Sequence, residues 1–505
     1  MTIVITTIAY RMPVTVALSA ATLGMVTGLL LIGWIILSAI FLYNLVLESG
    51  QLEVIESSIS SISPDRRLQA LLIAFLFSAF METTTGMGAP VAICAALLIG
   101  IGFPPLPAAL VCLVGNCVPV PFGSLGVPTI MMASVSGISI GVLIRAEATN
   151  IAILALIIPI FMMVLLAGWE KALKVLPAAL VAGGSYAVSC LLFSRLVAVG
   201  LIALLSSFVS LVCQSTFLKF WKPRSTYRFL GDPDFSIERV KKYSAGQIVR
   251  AWSPFIILLT AMGIWSFPVF TAWDLNVTKL VVNVRSWPLL DGIVYKTAPI
   301  VAKPSIYSAS YRWEFGTTIG TAIFLSALIS LAPLKIRPAA GAIVFFRTLQ
   351  QMKFALVTLA SVIGIAYVAN YSGMSYTLAL AMAHYTGKWF PSVSPVIGWL
   401  GVFLTGSVTS CAVLFGKLQQ ATAMQIGINP VLTTSANLAG SAAGKLISPQ
   451  SLAVACAATG VASGDIFRKI WKYSVMLLLV VILLIVFEAY VFPGIVPTDA
   501  SGLNS

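Results

Sequence analysis

Two ionisable residues lie beside sharp breaks in otherwise apolar sequence: Glu82, in FMETTTGMGAP, and Lys445, in AAGKLISPQ. A carboxyl group in such surroundings can carry a coupling proton, and an ammonium group can neutralise an anionic substrate. An ionisable side chain at membrane depth costs several kcal/mol unless it is paired or hydrated, so each is a functional candidate by default. Lys417, at the end of an apolar arm, reads instead as a helix-end side chain reaching for the interface. Other chemistries lack their residues. His384 is the only histidine, and its place at the end of an apolar stretch is interfacial rather than catalytic. The seven cysteines form no CxxC pair and read as small buried residues, with neither a disulfide framework nor a metal site. No GxxxxGK[ST] loop, HExxH or DDxxD-like cluster occurs, so ATP-driven transport and membrane metalloenzyme chemistry lose their usual signatures. No cofactor, no metal and no enzymatic reaction is expected.

The elements that must position these residues belong in a membrane. Of 505 residues, 59% are hydrophobic and 9% charged, with a mean hydropathy of +1.01. A soluble surface needs roughly 25% charged residues. The composition therefore predicts an all-α polytopic membrane protein, a single integral membrane domain over residues 1–505, with room for roughly ten to twelve crossings of about 20 residues. The formal charge of +14 fits Lys and Arg kept in cytoplasmic loops, with the lipid bilayer as partner and no nucleic acid. Residues 219–250 hold eight Lys/Arg and read as a cytoplasmic loop, whereas 272–316, rich in Trp, Tyr and Pro, read as an ordered external loop. Lys335, Arg337, Arg347 and Lys353 return the chain to the cytoplasm, and Arg468, Lys469 and Lys472 mark a third cytoplasmic patch. Single spans are expected near 151–168, 176–194, 196–218, 252–271, 317–334 and 474–492. The apolar region 14–47 is too long for a signal segment.

Two regions do not read as ordinary spans. LQALLIAFLFSAFM (68–81) and VAICAALLIGI (91–101) are too short to cross, and a Gly-rich polar tip joins them. This is the pattern of a re-entrant hairpin, tolerable only where the irregular backbone is buried in protein or lines a wet cavity. PVIGWLGVFL (395–404), the tip Thr405–Ser410 and CAVLFG (411–416) repeat it. Downstream of each hairpin is a segment broken by small residues and proline, Asn116 to Pro128 and Asn437 to Pro449, with Asn and Pro 12 apart in both and the two segments offset by 321 residues. Proline is favoured in the first turn of a helix, so GVP-TIMM and ISP-QSLAV read as the starts of half-helices whose N–H groups and dipoles suit a carboxylate. Two structural repeats follow, 68–139 and 395–462, each a re-entrant hairpin plus a broken transmembrane helix. Broken helices at matching positions of two halves point to a secondary-transporter substrate site.

The stretches SSISSISPDRRLQ (57–69), AFMETTTGMGAPVAICAALLIGIGFPPLPAALVCLVGN (79–116), PVPFGSLGVP (119–128), ANYSGMSYTLALAMAH (369–384), GWLGVFLTGSVTS (398–410) and GKLISPQSLAVACAATG (444–460) resemble the L-lactate permease family, which includes glycolate permeases of bacterial cytoplasmic membranes. The resemblance spans nearly the whole chain. It implies proton-coupled import of a small 2-hydroxymonocarboxylate, L-lactate, D-lactate or glycolate. It also implies Gly86, Gly88, Asn116, Thr405, Ser407, Thr409, Asn437, Lys445, Ser448 and Gln450 as substrate-binding candidates, with Glu82 for proton coupling. The chain departs from the family at the second tip. Where members carry GSDTSSNALF, Val408 replaces an Asp and Ala412 an Asn, while Lys417 replaces a small neutral residue. The local charge shifts by about +2, so anion exchange or uniport on the same fold is an alternative, as is a transport-inactive paralogue. Tyr385 interrupts the family's AHTG, and members usually begin with a further apolar segment ahead of Met1, which implies a truncated start or a drifting gene. Oligomeric state and flux direction stay open.

Overall fold

The computed structural model describes residues 2–60, 62–86, 88–229, 243–265, 281–298, 300 and 304–498. Residues 230–242 of the expected cytoplasmic loop, with Arg239, Lys241 and Lys242, 266–271 of the span expected at 252–271, and 272–280, 299 and 301–303 of the expected external loop lie outside the described residues. In lipid, backbone polar groups must be bonded within their own segment, so the apolar runs become helices. After a short helix at Thr2–Ile8 come α1 (Val14–Glu48), which contains a π-helical stretch at Thr27–Gly33, and a short α2 (Gln51–Ser60). The first repeat follows: α3 (Arg66–Thr84), α4 (Ala89–Gly100), α5 (Pro105–Gly115), α6 (Gly123–Ser136) and α7 (Ile140–Ala167). Three linking helices are α8 (Leu176–Leu196), α9 (Val199–Phe220) and α10 (Ala245–Trp265). A polar segment then forms two small antiparallel pairs, β1 (Val281–Val284) with β4 (Tyr311–Glu314) and β2 (Tyr295–Lys296) with β3 (Ser305–Ile306). After α11 (Ile319–Leu334), α12 (Pro338–Tyr371) and α13 (Met374–Thr386), the second repeat runs through α14 (Phe390–Thr405), α15 (Val408–Gln425), α16 (Pro430–Lys445), α17 (Pro449–Thr459) and α18 (Ser463–Tyr490). Among the described residues eight helices are long and apolar enough to cross a membrane, or nine if the pair α5 and α6, bent by 70°, counts as one broken span.

Each repeat is therefore a hairpin (α3–α4, α14–α15), a broken helix (α5–α6, α16–α17) and a closing helix of 28 residues (α7, α18). The first arm of each hairpin lies hard against the first half of the broken helix behind it. In the second repeat this crossing rests on Gly398 and Gly440: a Cβ on either would overlap the carbonyl oxygen of Asn437 or of Pro395. Small residues let helices approach closely where lipid supplies no hydrophobic drive between them. The second arms are exchanged between repeats. α15 packs on α6 and α17 packs on α4, so each half-helix start leans on the hairpin of the other repeat.

Several expectations are corrected. The arm read at 68–81 as too short to cross extends over Arg66–Thr84, 19 residues, and is by itself long and apolar enough to span. Arg347 and Lys353 do not lie in a loop: both sit within the 34-residue α12, where α12 packs against α1. Lys417 does not end its arm, because α15 continues to Gln425. The Lys417 side chain is only 8% exposed; its Nζ donates to the Ser136 carbonyl at the end of α6 (3.4 Å) and lies 5.4 Å from the centre of the Tyr376 ring. A helix C-terminus presents unpaired carbonyls and partial negative charge, which is what retains an ammonium group there. The span expected at 151–168 starts at Ile140 and takes in Glu147 and Asn150. Asn116 and Asn437 are not equivalent despite equal spacing, since Asn116 caps the end of α5 at the break while Asn437 is two turns inside α16. All seven cysteines are free thiols; five are buried, Cys456 is half-buried and Cys213 is exposed on α9.

Candidate functional site

Both helix breaks arise where the sequence cannot continue a helix. Ser124, Leu125 and Gly126 all have positive φ, so α6 becomes regular only at Val127 and Pro128. In the second repeat Leu446 to Ser448 interrupt the chain, and Ser448 caps α17 by accepting from the Ser451 N–H (3.2 Å), with Pro449 in the first turn. The first hairpin tip turns at Gly86 (φ +58°) and Gly88 (φ +85°), a region that favours glycine. A Cβ at Gly86 would also overlap the Ser124 hydroxyl, so the tip and the first break fit only with glycine there. The second tip turns at Gly406, and Ser407 caps α15 by accepting from the Ser410 N–H (3.3 Å).

Tips and breaks enclose one cavity of about 280 Å³. Its walls come from Gly88 at the start of α4, Ser124 and Pro128 at the start of the regular part of α6, Ser407 to Ser410 at the start of α15, and Gln450 and Ser451 at the start of α17. Four helix N-termini thus converge on it, each carrying roughly half a positive charge on unpaired N–H groups. Ala355, Thr358 and Leu359 of α12 and Ile36 of α1 close the remaining side. The volume falls just below the roughly 300–1,000 Å³ that holds drug-sized ligands, which suits a molecule of a few heavy atoms.

Glu82 and Lys445 are the charged residues among those lining the cavity, and they meet each other. Lys445 Nζ donates to Glu82 Oε1 at 2.5 Å, with side chains 13% and 4% exposed. The pair joins the last turn of α3 in one repeat to the last residue of α16 in the other. Asn116 Nδ2 donates to the second carboxylate oxygen, Oε2 (3.2 Å), and to the Ser78 hydroxyl (3.1 Å), which holds Glu82 from behind. The lysine sits favourably at a helix C-terminus; the glutamate does not, and depends on these two partners.

Of the residues read from sequence, Glu82, Gly88, Thr405, Ser407, Thr409, Lys445 and Gln450 line the cavity. Gly86, Asn116 and Ser448 lie one contact behind it, shaping the tip, anchoring Glu82 and capping α17. Asn437 is away from it, packed between α14 and α15 with its Oδ1 accepting from the Cys411 thiol (3.7 Å). Sequence reading missed Ser124, Ser410, Ser451 and Thr358. The first three are next to motif residues, and the start of a half-helix exposes its first turn on several sides, which was the available signal. Thr358 had none, because it lies in a stretch with no motif, break or charge beside it.

The L-lactate permease family model matches residues 1–492. L-lactate permease of Bacillus subtilis strain 168 is 42% identical, over 98% of this chain and 91% of that protein. Glycolate permease GlcA of Escherichia coli K12 is also 42% identical with the same coverage, and L-lactate permease of Salmonella typhimurium is 42% identical over 97% of this chain and 90% of its own. Among solved structures, the Neisseria gonorrhoeae efflux pump MtrF aligns over 93% of this chain and 83% of its own at 12% identity, with a TM-score of 0.49. The Alcanivorax borkumensis YdaH transporter aligns over 94% and 88% at 14% identity, with a TM-score of 0.48.

Proposed function

Because the chain belongs to the L-lactate permease family, we propose that this multi-pass protein of the bacterial cytoplasmic membrane is a secondary transporter importing a small 2-hydroxymonocarboxylate, L-lactate, D-lactate or glycolate, by proton symport. The observation that carries this is the Glu82–Lys445 pair facing a small cavity where four helix N-termini converge. An incoming carboxylate is drawn by the N-termini and competes with Glu82 for Lys445. Once its partner is taken, Glu82 is a buried carboxylate without a cation and takes up a proton. The empty site holds one ammonium and one carboxylate; the loaded site holds the ammonium, the substrate carboxylate and a neutral Glu82. Its net charge is the same in both states, so one proton accompanies each substrate and the loaded site can cross low dielectric without a charge penalty. Ser407, Thr409, Ser451 and Gln450 offer hydroxyl and amide partners for the 2-hydroxyl group, while Gly88 and Thr405 shape the walls. Gly86, Asn116 and Ser448 support this set, and Asn437 serves the packing of α16.

Val408 favours a second reading. It occupies the first turn of α15 and lines the cavity, which leaves Glu82 as its carboxylate among the described residues. With one exchangeable acid, carboxylate exchange or uniport on the same site needs no proton. Reconstituted protein given labelled lactate or glycolate separates the two. Symport predicts uptake accelerated by an inward proton gradient and insensitive to that gradient after Glu82→Gln; wild-type uptake indifferent to the gradient would refute symport and favour exchange.

A further inference from the structure

A second carboxyl lies on the far side of the first break. Glu147, in α7, is 1% exposed, and no Lys or Arg of the described residues lies within ion-pair distance of it. Its Oε2 is 2.5 Å from the Thr129 hydroxyl of α6, and its Oε1 has no hydrogen-bond partner. The Thr129 hydroxyl also lies 2.9 Å from the Pro121 carbonyl oxygen. A hydroxyl has one proton to donate, and a carbonyl oxygen can only accept. If Thr129 donates to Pro121, the contact with Glu147 is a hydrogen bond only when the proton belongs to Glu147.

The broken segment separates this carboxyl from the cavity by its own thickness. Val120, Gly123, Ser124 and Pro128 face the cavity, whereas Pro121 and Thr129 face Glu147. One turn along α7 the Asn150 amide, turned with its nitrogen toward Glu488 of α18, donates to both carboxylate oxygens at 3.1 and 3.2 Å. Asn150 and Glu488 thus form a second polar pair, one turn along α7 from the Glu147–Thr129 contact. The other titratable groups on elements packed against α7 are Tyr186, Cys190 and Arg195 of α8, Cys112 of α5, Arg66, Arg67 and Glu82 of α3, Lys445 of α16, and Glu170 and Lys171 of the short helix Trp169–Leu173 after α7. Lys445 and Glu82 are committed to each other, and Arg67 to Asp65.

We propose that Glu147 is a proton-binding site of the transporter, exchanging its proton with the substrate cavity through Thr129 as the break moves. No bond other than O–H is made or broken: Glu147 gives its proton to the Thr129 oxygen and is left a carboxylate, while the Thr129 proton is released to water in the cavity and ends on the Glu82 carboxylate. The proposal rests on the symport reading, in which Glu82 is the acceptor on the cavity side. Glu147 is a relay residue and does not touch substrate.

Glu147→Gln tests it, because the Gln amide donates to Thr129 as the acid does and preserves the fold, checked by melting temperature. Infrared spectra of the purified protein are expected to show a protonated-carboxyl stretch in the wild type that is absent from E147Q. In proteoliposomes E147Q is expected to retain lactate–lactate exchange, which moves no net proton. It is expected to lose the stimulation of net uptake by an inward gradient, up to about tenfold per pH unit for one coupled proton. Glu147→Asp, which keeps an acid, restores part of the stimulation. A carboxyl band unchanged in E147Q, or full gradient stimulation in that variant, overturns the proposal. Loss of exchange in both variants assigns Glu147 to packing and overturns it too. A wild type that exchanges neither lactate nor glycolate, with the band behaving as expected, removes the substrate reading and leaves the proton site standing.

Discussion

Removing Lys445 separates what the ion pair does for the fold from what it does for the substrate. At 2.5 Å and an effective dielectric constant of about 20, the Coulomb attraction is roughly 7 kcal/mol, most of which offsets desolvation of two largely buried groups. Lys445→Met leaves Glu82 with the Asn116 amide alone in a position 4% exposed, and breaking a buried pair in this way costs about 3–5 kcal/mol. Replacing both charges, in Glu82→Gln with Lys445→Met, leaves two neutral side chains of similar volume and is expected to return stability to within about 1 kcal/mol of wild type. Transport follows a different order. A hydrogen bond from a charged donor contributes about 1.5–3 kcal/mol, so Lys445→Met raises the half-saturating lactate concentration by about 10–100-fold, and the double variant gains nothing back because the cation is still missing. Equilibrium unfolding of wild type, Glu82→Gln, Lys445→Met and the double variant in mild detergent gives the coupling energy, and labelled uptake gives the transport ranking. A Lys445→Met protein as stable as wild type, or a double variant with restored uptake, would refute the assignment.

Gly440→Ala drives a methyl group into the Pro395 carbonyl at the α14–α16 crossing and is expected to destabilise by about 1–3 kcal/mol, read as a lower melting temperature; an unchanged melt would show that the crossing can open without cost. Asp291, in the polar segment between α10 and α11, accepts from the Ala309 N–H (2.8 Å), and this bond, with help from the Ser286 side chain and the Gly292 N–H, holds its carboxyl below the ordinary value. A carboxyl lowered in the fold stabilises above its unfolded value, near 4, and that contribution is lost as pH falls through the folded value. Protection of 281–316 from hydrogen exchange should therefore be full near neutrality and decline in acid, with Asp291→Asn flattening the curve; a flat wild-type curve would count against it.

How far the sequence could be read follows from where its charges lie. Pro128 and Pro449 mark half-helix starts because proline has a fixed φ and lacks the N–H that a helix start leaves unpaired anyway, and both do sit at the starts of regular half-helices. Glu82 and Lys445 stood out because charge is scarce, yet nothing local states that residues 363 apart form a pair. The same scarcity misled elsewhere. Arg347 and Lys353 interrupt an apolar run and were read as loop, although long basic side chains can leave a helix flank for water while the helix continues. Glu147 was placed outside its span for the same reason, and only tertiary packing reveals that it is buried against Thr129. Equal Asn-to-Pro spacing suggested equal roles for Asn116 and Asn437, but the first break is several residues longer than the second, which shifts the asparagines out of register.

The exchange of second arms between the repeats bears on how the chain is made. Pro128 and Pro449 are 321 residues apart, and synthesis at about 5–20 residues per second separates their emergence from the ribosome by roughly 15–65 s. For that interval α4 and the start of α6 wait in the bilayer without α17 and α15, their eventual neighbours. Ser124 and the unpaired N–H groups of the first break must meanwhile find water, lipid headgroups or an insertion partner. The first half is thus an assembly intermediate by construction, and its polar turn is the part most exposed to quality control before the second half arrives.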